Sequence, residues 1–214
     1  MLDINHIDDH WEKHIRWWGE YHFELHQSRT WQFGSLLFRL TRGAQEWRME
    51  YHRPAIQFDY EQQWKEILEP DFAFPKPVHV ERYMFRKMGN TFQLLPRLAD
   101  RSVVIRPVDP MYIPAGQRGL LYISTPLWIT GFAEGQREPL FDIPVSRPKD
   151  TWFGPDKLSG ELCYATAVDG RTELEQLKPR AFRAVTPIIL HNSSHELLRF
   201  DRMNVPVPAL PLFY

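Results

Sequence analysis

Strict two-residue alternation constrains this chain more than any other feature. Ile15, Trp17, Tyr21, Phe23 and Leu25 interleave with Arg16, Glu20, His22, Glu24 and His26, and the pattern returns as Trp47, Met49 and Tyr51 against Glu46, Arg48, Glu50 and His52. A period of two puts the apolar side chains on one face of a pleated strand, whereas a helix would scatter them around its circumference. A β-protein follows. A reaction does not, because function resides in sites and not in architecture.

Read along the chain, a first strand is expected over about residues 14–26. A second runs from Trp31 to Leu40, where the change of parity at Gly34-Ser35 reads as a bulge. Arg42-Gly43-Ala44 then turns into a third strand, Glu46 to Arg53, completing an antiparallel meander. Asp59 as N-cap, with Tyr60, Trp64, Ile67 and Leu68 on one face, predicts a short helix over residues 60–69, ended by Pro70. Ile4, Ile7 and Trp11 allow a further short helix at Asp3–Trp11. Past the proline-rich connector 70–77, a hairpin is expected of Val78–Arg86 with Thr91–Leu98 across Gly89-Asn90. Beyond it come short strands punctuated by Pro and Gly: Val103–Val108, Leu120–Thr130, Leu140–Val145, Glu161–Val168, Phe182–His191 and Leu197–Arg202. Asp169-Gly170 reads as a hairpin turn, Asn192 to His195 as a polar turn, and the tail Val205 to Pro211 as an extended segment. The expected fold is all-β, with an antiparallel meander and one short helix in residues 1–76 and an immunoglobulin-like β-sandwich in residues 77–214.

Charge narrows the partners. Twenty-six Lys and Arg stand against 27 Asp and Glu without long single-sign blocks, so nothing in the chain offers the electrostatic footprint that nucleic acid or an anionic membrane requires. The first residues carry carboxylates where an export signal would carry positive charge and an apolar segment. The longest uncharged apolar stretch, Gly119 to Ala133, is interrupted by Pro126 and falls short of the ~20 residues of a spanning helix, so no membrane insertion is expected. The single cysteine, Cys163, excludes an internal disulfide and fits a reducing compartment, which makes the cytoplasm the expected location. No phosphate-binding loop, dinucleotide glycine motif, paired-cysteine zinc site or EF-hand loop occurs, and no cofactor is expected.

Five groups of residues are candidates for chemistry or binding. His22, Glu24 and His26 share one parity, and two imidazoles with a carboxylate suit zinc or iron. At a rise of ~3.4 Å per residue, however, His22 and His26 are about 13 to 14 Å apart, so a solvated polar face is the simpler reading. His6, His10 and His14 would form a stripe on a helix, but His14 falls inside the strand pattern. Cys163 would become a nucleophile if His191 or His195 approached it, whereas a cysteine in an apolar strand is ordinarily a small buried hydrophobe. Ser193, Ser194, His195 and Asp201 supply triad residue types without the geometry of a relay. The segment Asp150-Thr151-Trp152-Phe153-Gly154-Pro155-Asp156 is the best binding candidate: two large aromatics in a loop between strands suit recognition, with Asp150 and Asp156 flanking them.

Pro107-Val108-Asp109-Pro110, Ile113-Pro114-Ala115-Gly116, Ser124-Thr125-Pro126-Leu127-Trp128, Asp150-Thr151-Trp152-Phe153-Gly154, Gly160-Glu161-Leu162-Cys163-Tyr164 and Arg199-Phe200-Asp201-Arg202 together resemble an uncharacterised family of bacterial and archaeal proteins known by a placeholder name. The resemblance implies a soluble prokaryotic protein, and because relatives are often encoded near small mechanosensitive channels, it implies such a channel as a partner. It brings no catalytic residues. The leading expectation is therefore a non-enzymatic cytoplasmic protein that binds a protein partner. The competing one is an enzyme or small-ligand protein whose polar pocket is built from strand histidines and carboxylates. Edge strands also allow a homodimer.

Overall fold

The computed structural model describes residues 16–54, 63–69, 72–156, 158–168, 170–177 and 180–214. It is 54% strand and 3% helix, with no helix of seven residues or more among the described residues, so the all-β expectation is borne out. In chain order the strands begin with β1 (Gly19–His22), β2 (Ser28–Phe33), β3 (Leu36–Arg42), β4 (Glu46–His52), β5 (Trp64–Ile67), β6 (His79–Met84), β7 (Thr91–Leu98) and β8 (Val103–Pro107). They continue with β9 (Met111–Ile113), β10 (Arg118–Ala133), β11 (Phe141–Pro144), β12 (Lys149–Phe153), β13 (Glu161–Val168), β14 (Arg183–His191), β15 (Leu198–Phe200) and β16 (Met203–Val205). The chain divides into two compact units, one of residues 1–97, 128–146 and 179–182, the other of residues 98–127, 147–178 and 183–214.

In the first unit, a five-stranded antiparallel sheet in the order β5-β2-β3-β4-β6 faces a second sheet built from β1, β7, the 128–133 half of β10, and β11. The alternation explains the burial: Leu36, Phe38 and Leu40 of β3 and Trp47 and Met49 of β4 are buried, while the residues between them are not. These side chains meet Phe92, Leu94, Ile129 and Phe141 of the other sheet in one core, with ring centroids 5.0 Å apart for Trp47–Phe92 and 5.5 Å for Phe38–Phe141. A fully buried Phe contributes about 1.5–3 kcal/mol, and edge-on aromatic pairs add about 0.5–1.5 kcal/mol each. Nine of the chain's aromatic residues are buried in this core.

In the second unit, β12-β13-β8-β16 form a four-stranded sheet in which β13 and β8 run parallel and the other neighbours antiparallel. Residues 118–126 of β10 pair with β14, and β9 pairs with β15. Val103, Ile105, Cys163, Tyr164 and Val205 are buried there. The expected polar turn after β14 is fastened by the buried Asn192, whose amide donates to the carbonyls of Ile113 (2.8 Å) and Glu196 (2.7 Å) and accepts from the Ser194 N–H (3.0 Å).

Several local expectations are corrected. Trp64–Ile67 is a strand and not part of a helix, because it adds to the free side of β2, where Arg29 holds Glu66 through two hydrogen bonds of 2.6 and 2.9 Å; Asp59, Tyr60 and Gln62 lie outside the described residues. The meander consists of β2, β3 and β4, with Gly34-Ser35 as a two-residue hairpin turn and not a bulge. Of the strand expected over residues 14–26, the described residues form a strand only at Gly19–His22, which pairs with β7. The expected hairpin across Gly89-Asn90 is a crossing between sheets: β6 pairs with β4 and β7 with β1. There Glu134 accepts from the N–H groups of Asn90 (3.1 Å) and Thr91 (3.3 Å), an approach that a side chain at Gly89 would block. Asp150–Phe153 belongs to β12 and not to a loop. Of the tail, Val207–Ala209 is a single 3-10 turn. The segment expected as a helix at Asp3–Trp11, and with it His6, His10 and His14, lies outside the described residues.

Candidate functional site

The candidate site is the hairpin of β12 and β13. Trp152 stands directly opposite Leu162 on one face of the pair, and both are exposed, at 43% and 48%, as is Leu158 in the connecting loop at 95%. Trp152 and Leu162 are thus cross-strand neighbours that both leave apolar surface exposed, and Leu158 adds an exposed apolar side chain in the connecting loop.

The loop is ordered by its own polar groups. One oxygen of the Asp156 carboxylate accepts from the N–H of Leu158 (2.7 Å) and of Ser159 (2.6 Å). These bonds hold the acid below the usual carboxylate range, Leu158 contributing most. The indole N–H of Trp152 donates to the Asp156 carbonyl at 2.9 Å. Its ring lies over Gly160, where a Cβ would come within 2.6 Å of the indole nitrogen. The indole therefore buttresses the loop while remaining partly exposed to solvent. Phe153, on the opposite face, is half-buried, with the Arg202 guanidinium 5.4 Å from its ring centre. Asp150 is bridged by Arg101 (3.5 Å) and Arg147 (3.1 Å). Arg101 also lies 5.4 Å from the ring centre of Tyr164, whose hydroxyl donates to Asp100 at 2.9 Å. The four residues singled out from sequence, Asp150, Trp152, Phe153 and Asp156, thus lie on one hairpin, with Trp152 facing out and the two acids engaged in holding the structure.

The other candidates disperse. His22 ends β1, its Nδ1 3.1 Å from the Thr91 hydroxyl and its Nε2 3.7 Å from Glu20. Glu24 and His26 belong to the turn that follows, in which His26 adopts a φ of 66°. They therefore do not share a strand face with His22. Among the described residues no three His, Cys, Asp or Glu side chains gather so as to hold a metal ion. Cys163 is fully buried, its Sγ 3.6 Å from the Glu161 carbonyl and 3.8 Å from Asn204 Oδ1. Burial, followed by the charge of Glu161, pushes its thiol up, opposite to the activation that a nucleophile needs. A groove of about 200 Å³ in the first unit is lined by Glu20, Thr91, Gln93, Phe132, Glu134 and Gln136. It is smaller than the roughly 300–1,000 Å³ of small-molecule sites, and its Glu134 is occupied in capping the backbone of Asn90 and Thr91.

Sequence reasoning missed Leu158 and Leu162 as partners of Trp152. Only the register of β12 on β13 brings Leu162 beside the indole, although Asp156 two and three residues before its N–H donors was a legible turn signal.

Fold and site together define a β-sheet protein with a hairpin that exposes apolar side chains. Residues 17–214 match the family described as "Protein of unknown function (DUF432)", and the chain belongs to that family. The match extends beyond the motifs of the C-terminal two thirds to include the aromatic strands of the first unit. Comparisons with curated proteins and with solved structures find no match.

Proposed function

We propose that the chain is a non-enzymatic binding protein whose sheets, as in immunoglobulin-like sandwiches, serve as a rigid frame for a recognition surface, and that the partner is a protein. The observation that carries this reading is the outward-facing set of Trp152, Leu158 and Leu162 on a hairpin already ordered by Asp156. A pre-ordered apolar surface loses little conformational entropy on binding, and Trp is among the residues that most often dominate interface energies. Cytoplasm is the compartment in which this reading is to be tested, consistent with the single, buried, unpaired thiol of Cys163.

The family resemblance makes a small mechanosensitive channel the first partner to test. Purified chain is titrated onto such a channel reconstituted in lipid nanodiscs, beside the Trp152→Ser, Leu158→Ser double variant. Saturable binding that the variant weakens at least about tenfold supports the reading, that being the order expected on losing one or two anchor residues. Binding by the variant equal to wild type removes the hairpin from the account, and absence of binding by wild type removes the channel.

A further inference from the structure

The hairpin has an edge as well as a face. β12 closes one side of its sheet, and the register shows which of its peptide groups turn outward. The Tyr164 N–H donates to the Ser102 carbonyl at 2.9 Å, so even-numbered residues of β13 direct their backbone groups toward β8 and odd-numbered ones toward β12. Cys163 is opposite Thr151 and Tyr164 opposite Asp150. Thr151 is therefore bonded into the sheet, while the N–H and C=O of Asp150 and of Trp152 face the open side. Among the described residues no strand pairs there.

Two other edges, those of β6 and β14, carry devices that prevent pairing. On β6, Glu81 lies opposite the buried Met49 and so points to the core side, held by His79 Nε2 at 2.8 Å and by the Tyr83 hydroxyl. On β14, Pro187 lies opposite Tyr122, whose N–H turns away to the Arg171 carbonyl at 2.7 Å. The imide nitrogen of Pro187 thus faces the open side and interrupts its row of donors. An inward-pointing charge and an edge proline are both known means of blunting a sheet edge. β12 has neither.

We infer that β12 pairs antiparallel with β12 of a second copy of this chain, about a two-fold axis through Thr151. That axis sets Asp150 opposite the partner's Trp152 and Trp152 opposite the partner's Asp150. All four outward N–H groups and their carbonyls then bond to one another, and the two copies of Thr151 form the non-hydrogen-bonded pair between them. An axis through Asp150 would place two carboxylates side by side, which is unfavourable. An axis through Trp152 would carry Asp150 past the end of the strand at Phe153. With the axis at Thr151, no like charges oppose each other, and Arg101 and Arg147, held at Asp150, enter the same row as the partner's Trp152, where a guanidinium over an indole is favourable. The pairing uses the edge and leaves the exposed face of Trp152 and Leu162 on the surface, so it stands independently of the partner reading above.

Light scattering over a range of concentrations tests it. Wild-type chain should approach twice the 25.5 kDa of the single chain. Asp150→Pro, which deletes an outward donor without touching the bonds to β13, should halve that mass, whereas Asp150→Ala, which keeps the donor, should not. In a Cys163→Ser background, Thr151→Cys should form a reducible inter-chain disulfide without added oxidant, since Cα atoms about 4.5 Å apart in such a pair suit the bond. Lys149→Cys, displaced about 14 Å from its own copy, should not. Single-chain mass at every concentration, a mass unchanged by Asp150→Pro in folded protein, or equal cross-linking at residues 149 and 151 would each overturn the inference. If Asp150→Pro does not fold, the cysteine pair decides.

Discussion

The indole N–H of Trp17 donates to the carbonyl of Ala181 at 2.8 Å, a bond between residues 164 positions apart that ties the segment before β1 into the aromatic core of the first unit. Trp31 and Trp47, equally buried in that core, have indole nitrogens with no hydrogen-bond partner among the described residues. The three tryptophans should therefore respond differently to the same change. Trp→Phe at position 17 removes a satisfied donor and leaves a buried carbonyl unpaired, which costs about 1–3 kcal/mol beyond the lost volume. At positions 31 and 47 the same change removes an unsatisfied donor, which offsets part of the cavity cost. Thermal unfolding should place Trp17→Phe below Trp47→Phe by about 2–4 °C for each kcal/mol of the difference. Equal melting temperatures would sink the argument.

Tyr21 donates its hydroxyl to the Trp17 carbonyl at 2.5 Å. Burial raises its pKa to about 12, with Arg29 opposing and Glu66 adding to the shift. The folded value lies above the unfolded one, so the stabilisation is complete below pH 10 and declines as pH rises toward 12. Denaturant unfolding at a series of alkaline pH values should show a steeper decline for wild type than for Tyr21→Phe over that interval. Parallel curves would show that the phenol does not titrate with unfolding.

Asp156 gives the opposite sign. Its carboxyl is held below the ordinary 3.8 by the Leu158 and Ser159 N–H groups, so the order it confers is present above that value and is lost as pH falls through the folded one. Hydrogen exchange at the Leu158 and Ser159 amides should accelerate in Asp156→Ala at neutral pH, while core amides such as Leu40 keep their protection. Unchanged exchange at those two amides would mean that the loop is ordered by Trp152 alone.

Cys163 should behave as a hydrophobe. Thiol-reactive reagents should modify it slowly in the native protein and rapidly after unfolding, because burial and Glu161 both disfavour the thiolate. Rapid stoichiometric modification of folded protein would reopen the nucleophile reading.

Much of the fold was legible in local pattern. The parity of Leu36, Phe38 and Leu40 against Trp47 and Met49 marked β3 and β4, and the apolar run Glu161–Val168 marked β13. Trp64–Ile67 is not legible as a strand because Tyr60, Trp64, Ile67 and Leu68 also satisfy a helical period, and only pairing on the free side of β2 favours the extended form. Of the candidate site, Trp152 and Asp156 could be read from the chain, but the exposed face requires Leu162, ten residues further along the chain and beside the indole only once register is known.

By itself, the sequence determined that the chain forms sheets, because side-chain periodicity is a property of neighbouring residues along one strand. It also limited the chemistry, because charge balance, cysteine count and missing ligand motifs are additive over the chain. Tertiary structure alone decided which strands are neighbours, which edges are blunted, and that His22 and His26 separate while Trp152 and Leu162 meet. Those outcomes depend on hydrogen-bond register between segments far apart in sequence, where a shift of one residue turns every side chain to the other face.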